Sequence, residues 1–168
     1  MIYYILFVIC LDFIYFSKNI IPSRKTADMN TEFLKDINWV AVLVAGLAYF
    51  AIGAIWYSKL LFSKNWIEYT GVDVNDPKAK EGMLQYMLFS LVLMIVCSAG
   101  LAILISKLEL SGWKNGVKLG GLTGLCFGAT ALSITYLFEK KPLGLHLING
   151  LYVVIGSIVA AVILCVWQ

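Results

Sequence analysis

Four stretches of this chain, 37–57, 83–106, 119–138 and 145–167, each hold 20 to 24 residues without a single Asp, Glu, Lys or Arg. A helix rises about 1.5 Å per residue, so roughly 20 residues cross a hydrocarbon core about 30 Å thick. Inside lipid only helices and closed barrels satisfy their own backbone polar groups. The pattern therefore predicts an all-α fold, an integral membrane four-helix bundle with those four spans. Composition points the same way. The chain is 61% hydrophobic and 14% charged, where soluble domains run at roughly 45–50% and about 25%, and mean hydropathy is +0.85. A length of 168 residues allows one domain, and the spans leave little chain for a soluble module.

The span ends carry amphipathic rings, which sit at headgroup depth. Trp39 and the pair Trp56–Tyr57 bracket the first span, about 26 Å apart as a helix. Trp66 follows in the next loop, Trp113 precedes the third span and Trp167 closes the fourth. These are expected to be interface anchors. Phe62, Trp66 and Tyr69 fall at i, i+4 and i+7, one helical face; a short helix lying in the interface and a loop with scattered aromatics both accommodate them. Asn75-Asp76-Pro77 offers a capping side chain and then Pro, which predicts a helix start near Pro77, ahead of membrane entry near Met83.

Gly116, Gly120, Gly124 and Gly128 recur every four residues in the third span. In water each costs about 1 kcal/mol relative to Ala in a helix. In a bilayer the series bares a strip on which another backbone can pack closely. Lys114 and Lys118 fall on the opposite side and can snorkel outward. Gly46-Leu47 with Gly53-Ala54 in the first span echoes Gly121-Leu122 with Gly128-Ala129, offset by 75 residues. That echo is what two repeated helical hairpins would leave. The strip is then expected to face the first span or a neighbouring subunit.

Residues 1–28 read as an N-terminal extension ahead of a four-span domain at 29–168. The apolar run 1–11 is short for a span, is interrupted by Asp12, and lacks the basic start and small-residue cleavage site of a signal peptide. Met29 offers a later start; a fifth, partly inserted helix is the alternative. Orientation stays open. Lys35, Lys107, Lys114 and Lys118 on one side face Lys59, Lys64, Lys78, Lys80, Lys140 and Lys141 on the other, and Lys18, Arg24 and Lys25 reverse that balance. The net charge of +3 is too small to argue for nucleic acid.

The runs Asn38-Trp39, Gly53-Ala54-Ile55-Trp56-Tyr57-Ser58 and Leu61-Phe62-Ser63-Lys64-Asn65-Trp66 resemble the opening of a bacterial membrane family, domain of unknown function 1761. The second half, Leu137-Phe138-Glu139-Lys140-Lys141-Pro142 with Leu147-Ile148-Asn149-Gly150, Tyr152 and Trp167, resembles it too. The resemblance spans about 37–168. It departs at Lys59, where a Pro is expected, and at Lys141, where Arg is usual. It implies a small multi-pass protein of the bacterial cytoplasmic (inner) membrane, and it supplies no activity.

Few residues offer chemistry. Acidic groups are absent from the spans, which weighs against a classical ion-coupled transporter. Glu139, Lys141, His146 and Asn149 cluster where the third span ends and the fourth begins, and are the candidate polar or pathway residues. Asn149, one amide in an apolar helix, is expected to seek a partner across the bundle. His146 is the only histidine; no metal site, cofactor or catalytic triad can be assembled around it, so an enzyme is not expected. Cys10, Cys97, Cys126 and Cys165 lack metal-ligand spacing and behave as small hydrophobes. Ser90, Ser98, Thr123, Thr130, Ser133 and Thr135 can bond back to their own helices. The expectation is a homo-oligomer in the lipid bilayer, a small-solute channel or transporter module, with a structural or accessory protein as the alternative.

Overall fold

The computed structural model describes residues 34–73 and 81–167. The N-terminal extension, its alternatives and the expected helix start at Pro77 lie outside the described residues. Five helices follow one another: α1 (Trp39–Trp56), α2 (Ser63–Thr70), α3 (Met83–Lys107), α4 (Trp113–Phe138) and α5 (Leu143–Val166). All but α2 are long and apolar enough to cross a membrane. The described fold is all-helical.

Local chemistry sets the helix boundaries. The Asn38 side-chain oxygen accepts the Ala41 N–H at 3.1 Å and caps α1. Gly82, at φ 73°, turns the chain into α3, so the spanning helix starts at Met83. Two helices end with a non-glycine residue in the left-handed region. Glu109 (φ 51°) follows α3 and Lys140 (φ 55°) follows α4. In each, the next N–H reaches back to a carbonyl five residues earlier: Leu110 to Ile105 at 3.0 Å, and Lys141 to Tyr136 at 3.0 Å. Such caps satisfy orphan carbonyls, and glycine is their usual occupant.

Helix α5 is the hub. It packs against α1, α2, α3 and both halves of α4, while α1 packs also against α3. Its buried face includes Leu145, Asn149, Tyr152, Ala160, Ala161 and Leu164; α1 contributes Ala41, Val42, Ala45 and Tyr49, and α3 contributes Ser98, Leu101, Ala102 and Ile105. Lipid tails are as apolar as these side chains, so close packing and interhelical hydrogen bonds hold such a bundle together.

Three of the four glycines of the every-fourth-residue series in α4 lie against α5 backbone. A Cβ on Gly116 would fall 2.6 Å from Val162 Cα, on Gly120 2.5 Å from Ile158 Cα, and on Gly124 2.8 Å from Val154 Cα. Steps of four in one helix meet steps of four in its antiparallel neighbour. The strip thus faces the fourth span, not the first span or another subunit, because the short turn at 139–142 folds α5 straight back on α4. The series breaks at Gly128. Residues Gly124–Ala129 form a π-helical turn, which inserts one residue into the α-helical count. Ala129 is therefore buried opposite Gly150, its Cβ 3.5 Å from where a Gly150 Cβ would lie, while Gly128 turns toward the Val153 side chain.

The echoed glycines sit in unlike surroundings. Gly46 lies against Ile95 of α3, with a Cβ there falling 2.9 Å from Ile95 Cα, and Gly53 lies under Tyr152. Gly121 meets only the tip of Ile158, 3.9 Å away.

Candidate functional site

Polar groups converge where α1 ends, α4 ends and α5 begins. The Tyr57 hydroxyl donates to Asn149 Oδ1 at 2.8 Å, and Asn149 Nδ2 donates to the Tyr136 hydroxyl at 2.7 Å. One amide thus joins three helices. Asn149 lies six residues into α5, about 9 Å from its start. The neighbouring Trp56 indole N–H donates to the Ile148 carbonyl at 3.0 Å. Two further tyrosines, Tyr152 and Tyr49, extend the cluster inward. Tyr152 meets Tyr57 and Tyr49 edge to face, with ring centroids 5.4 and 5.5 Å apart. The Tyr49 hydroxyl donates to the Val153 carbonyl at 3.1 Å and neighbours Ser157. The Tyr152 hydroxyl reaches Met94 Sδ at 3.6 Å, a weak acceptor.

His146 packs edge-on to Tyr136 at 5.4 Å, and its buried Nε2 has no hydrogen-bond partner. Ser98 is the second orphan: its side chain is fully buried and its Oγ has no partner. Other hydroxyls do bond back to their own helices, Ser90 to Met87, Thr123 to Leu119 and Thr135 to Ala131. Thr130 reaches Leu125, five residues back, at 2.9 Å across the π turn.

Helix α2 closes this end of the bundle. Phe62 stacks on Trp56 at 4.7 Å, Trp66 meets Tyr57 edge-on at 6.0 Å, and the Tyr69 ring covers Gly144. The three aromatics form one face, and that face docks on the protein. The expected anchors accordingly divide in two. Trp39, Trp113 and Trp167 are exposed, with Lys114 Nζ 5.8 Å from the Trp113 ring. Trp56, Tyr57 and Trp66 are drawn into the bundle, because their polar atoms or ring edges find partners in α5 and α1. Glu139 and Lys141 belong to the turn that caps α4 and stand apart from the Asn149 hydrogen bonds.

At the opposite end a pocket of about 380 Å³ opens between the start of α1 and the ends of α3 and α5. Ala41, Ala102, Ile105 and Leu164 line its apolar part, with Asp36, Glu109, Ser111 and Trp167 among the others. Between the pocket and the tyrosines the core is filled by Ala45, Ser98, Ala160 and Ala161, all fully buried. Sequence reasoning picked Asn149 and missed its partners. Tyr57 looked like an anchor, and Tyr136, 13 residues before Asn149 and on another helix, had no signal of its own. Asp36 and Glu109 are ordinary loop carboxylates until three helix ends bring them together. Among the described residues no group of three His, Cys, Asp or Glu side chains could hold a metal ion.

Four long apolar helices, three of them packed on the fourth, with a polar girdle at one end, define a multi-span helical membrane protein. Over residues 40–165 the chain matches the family described as Protein of unknown function (DUF1761). It belongs to that family. No curated protein and no solved structure matches it.

Proposed function

We propose that this protein is a small-solute channel or transporter module, closed in this structure at the Asn149 end, and that it works as a homo-oligomer in the bacterial cytoplasmic membrane. The observation that carries this reading is the succession of polar groups along the core. Ser98, Ser157, Tyr49, Tyr152, Tyr57, Asn149 and Tyr136 lead from below the open pocket to the opposite end. Polar side chains inside a membrane bundle are costly and are commonly found on solute routes. A bundle held by small residues alone would not need so many.

The hydrogen bonds from Tyr57 to Asn149 to Tyr136 act in this reading as the gate. Because Ala45, Ala160 and Ala161 fill the centre, passage requires α1 or α3 to move away from α5, or a route along a subunit boundary. The alternative is a structural or accessory membrane protein, and the use of both ends of the Asn149 amide to tie helices together favours it. Neither reading includes a catalytic step; the His146 ring packs edge-on to Tyr136.

Proteoliposomes loaded in turn with a small cation, an anion and a neutral polyol test the proposal. Efflux above that of empty vesicles is expected for at least one solute, and faster efflux when Asn149→Ala removes the gate. If parent and Asn149→Ala vesicles both match empty ones for all three classes, transport is wrong and the accessory reading stands. Native mass spectrometry of the purified chain checks the subunit number.

A further inference from the structure

We propose that α4 is a register switch: its π turn relaxes to ordinary α-helix, advances the second half of the helix by one residue, and so releases Tyr136 from Asn149. The inference rests on the reading of the Tyr57, Asn149 and Tyr136 hydrogen bonds as a gate, and it names what works that gate.

Two registers are compatible with the facing surfaces of α4 and α5. Gly116, Gly120 and Gly124 lie against Val162, Ile158 and Val154, steps of four in both helices. The next step in each sets Gly128 against Gly150. The π turn at Gly124–Ala129 puts Ala129 there instead. In this register Gly150 has no need to be glycine, since a Cβ on it would meet the Ala129 Cβ at 3.5 Å, an ordinary contact. Glycine inside a helix is unfavourable without such a need. An unbroken α-helix gives both glycines a use, because Gly128 and Gly150 then meet backbone on backbone as the fourth pair of the series.

The second half of α4 is held lightly. None of its residues from Thr130 to Phe138 is buried. Residues 124–138 carry no charge, so turning them drives no charge into lipid. Among the described residues, its hydrogen bond and its ring contact with α5 both come from Tyr136: the hydroxyl accepts from Asn149 Nδ2 at 2.7 Å, and the ring meets His146 edge-on at 5.4 Å.

Undoing the π turn moves each later residue to the place of the next, about 100° around the axis and about 1.5 Å along it. Tyr136 goes to the place of Leu137, which is 65% exposed. Thr135 takes the place of Tyr136, and its side chain is shorter by a ring, so space opens beside Asn149 Nδ2. Ala129 goes to the exposed place of Thr130. Thr130 Oγ1, which bonds Leu125 five residues back at 2.9 Å, then bonds four residues back. The released residue joins the turn at 139–142. Passage past Ala45, Ala160 and Ala161, which fill the centre, is a separate step. π turns inside α-helices are frequent at functional sites, and two discrete packings of one element are what a switch requires.

The test is disulfide trapping of the full chain in lipid vesicles. Cys10, Cys97, Cys126 and Cys165 are replaced by Ala, and Val153→Ala makes room for a Cβ at position 128. Ala129→Cys with Gly150→Cys reads the π register, because those Cβ positions lie 3.5 Å apart, within the disulfide range of about 3.5–4.5 Å. Gly128→Cys with Gly150→Cys reads the α register. Deleting residue 126 fixes Ala129 opposite Gly150 with no residue to spare, so the 128–150 pair in that deletion measures background trapping. Oxidation with copper phenanthroline, cleavage at lysines and mass spectrometry count the joined peptides.

The 129–150 pair should close with and without residue 126. The 128–150 pair should close at least fivefold faster in the undeleted chain than in the deletion. Tyr136→Phe removes the hydroxyl that holds the π register and should raise 128–150 trapping about threefold, the weight of one interhelical hydrogen bond. Gel filtration checks the fold of each variant; should the deletion misfold, the Tyr136→Phe comparison decides alone. Equal 128–150 trapping with and without residue 126, or no response to Tyr136→Phe, overturns the switch. In the flux assay, deleting Cys126 from the otherwise native chain should lower efflux at least tenfold, and efflux equal to the parent's overturns the switch as the control of the gate. Trapping as expected with no efflux for any solute class overturns the transport reading alone.

Discussion

The Tyr57 hydroxyl donates to Asn149 Oδ1 at 2.8 Å, tying the end of the first span to the second turn of the last. The same amide passes a hydrogen bond on to Tyr136, so removing Asn149 strands two phenols at once. Asn149→Leu should destabilise the bundle more than Tyr57→Phe. Interhelical hydrogen bonds in membranes average about 0.6 kcal/mol and reach about 1.7. A double-mutant cycle over these two positions, read by denaturant titration in micelles, should give a coupling in that range. A coupling of zero would show that the bond contributes nothing to the fold.

Gly120 and Gly121 form a built-in control. A Cβ on Gly120 would fall 2.5 Å from Ile158 Cα, backbone that can yield only if the helices separate; on Gly121 the nearest atom is a side-chain methyl at 3.9 Å. Gly120→Ala should therefore cost about 1–3 kcal/mol, the range for overpacking, and Gly121→Ala almost nothing. Thermal melts of the two variants decide this. Equal melting temperatures would mean that the α4–α5 contact is looser than the structure has it.

The π turn makes an unusual prediction about chain length. Deleting Cys126, exposed within Gly124–Ala129, leaves four residue steps from Gly124 to Ala129. That matches the four steps from Val154 to Gly150 in α5, and Thr130 can then bond four residues back as in an ordinary helix. The deletion should keep the fold. Deleting Val117, in the regular part of α4 between Gly116 and Gly120, should abolish it, because the glycines can no longer meet α5 together. Expression and gel filtration of the two deletions provide the comparison.

Lys140 holds φ 55° at the end of α4. The left-handed region costs a non-glycine residue about 1–2 kcal/mol, and a glycine there gives back about 0.5–1 through the greater freedom of its unfolded chain. Lys140→Gly should raise stability by about 0.5–1 kcal/mol, seen as a higher melting temperature. A lower one would assign the lysine side chain a role that offsets the strain.

The sequence by itself determined the number of spans, their limits within a few residues, and the small-residue character of α4. These follow from lengths without charge and from a period of four, both local properties that a bilayer enforces. It also singled out Asn149, because one amide in an apolar helix must find a partner. Tertiary structure alone decided which helix the glycines face, where their register breaks and which side chains Asn149 meets. A glycine strip has no side chain to name its neighbour, and a π turn leaves no simple trace in a pattern of apolar residues. Tyr57 and Tyr136 lie 92 and 13 residues from Asn149; only the folding of α1 and α4 around α5 brings both to the same amide. Asp36 and Glu109 become neighbours of one pocket for the same reason: three helix ends meet there, and no local property of the chain records it.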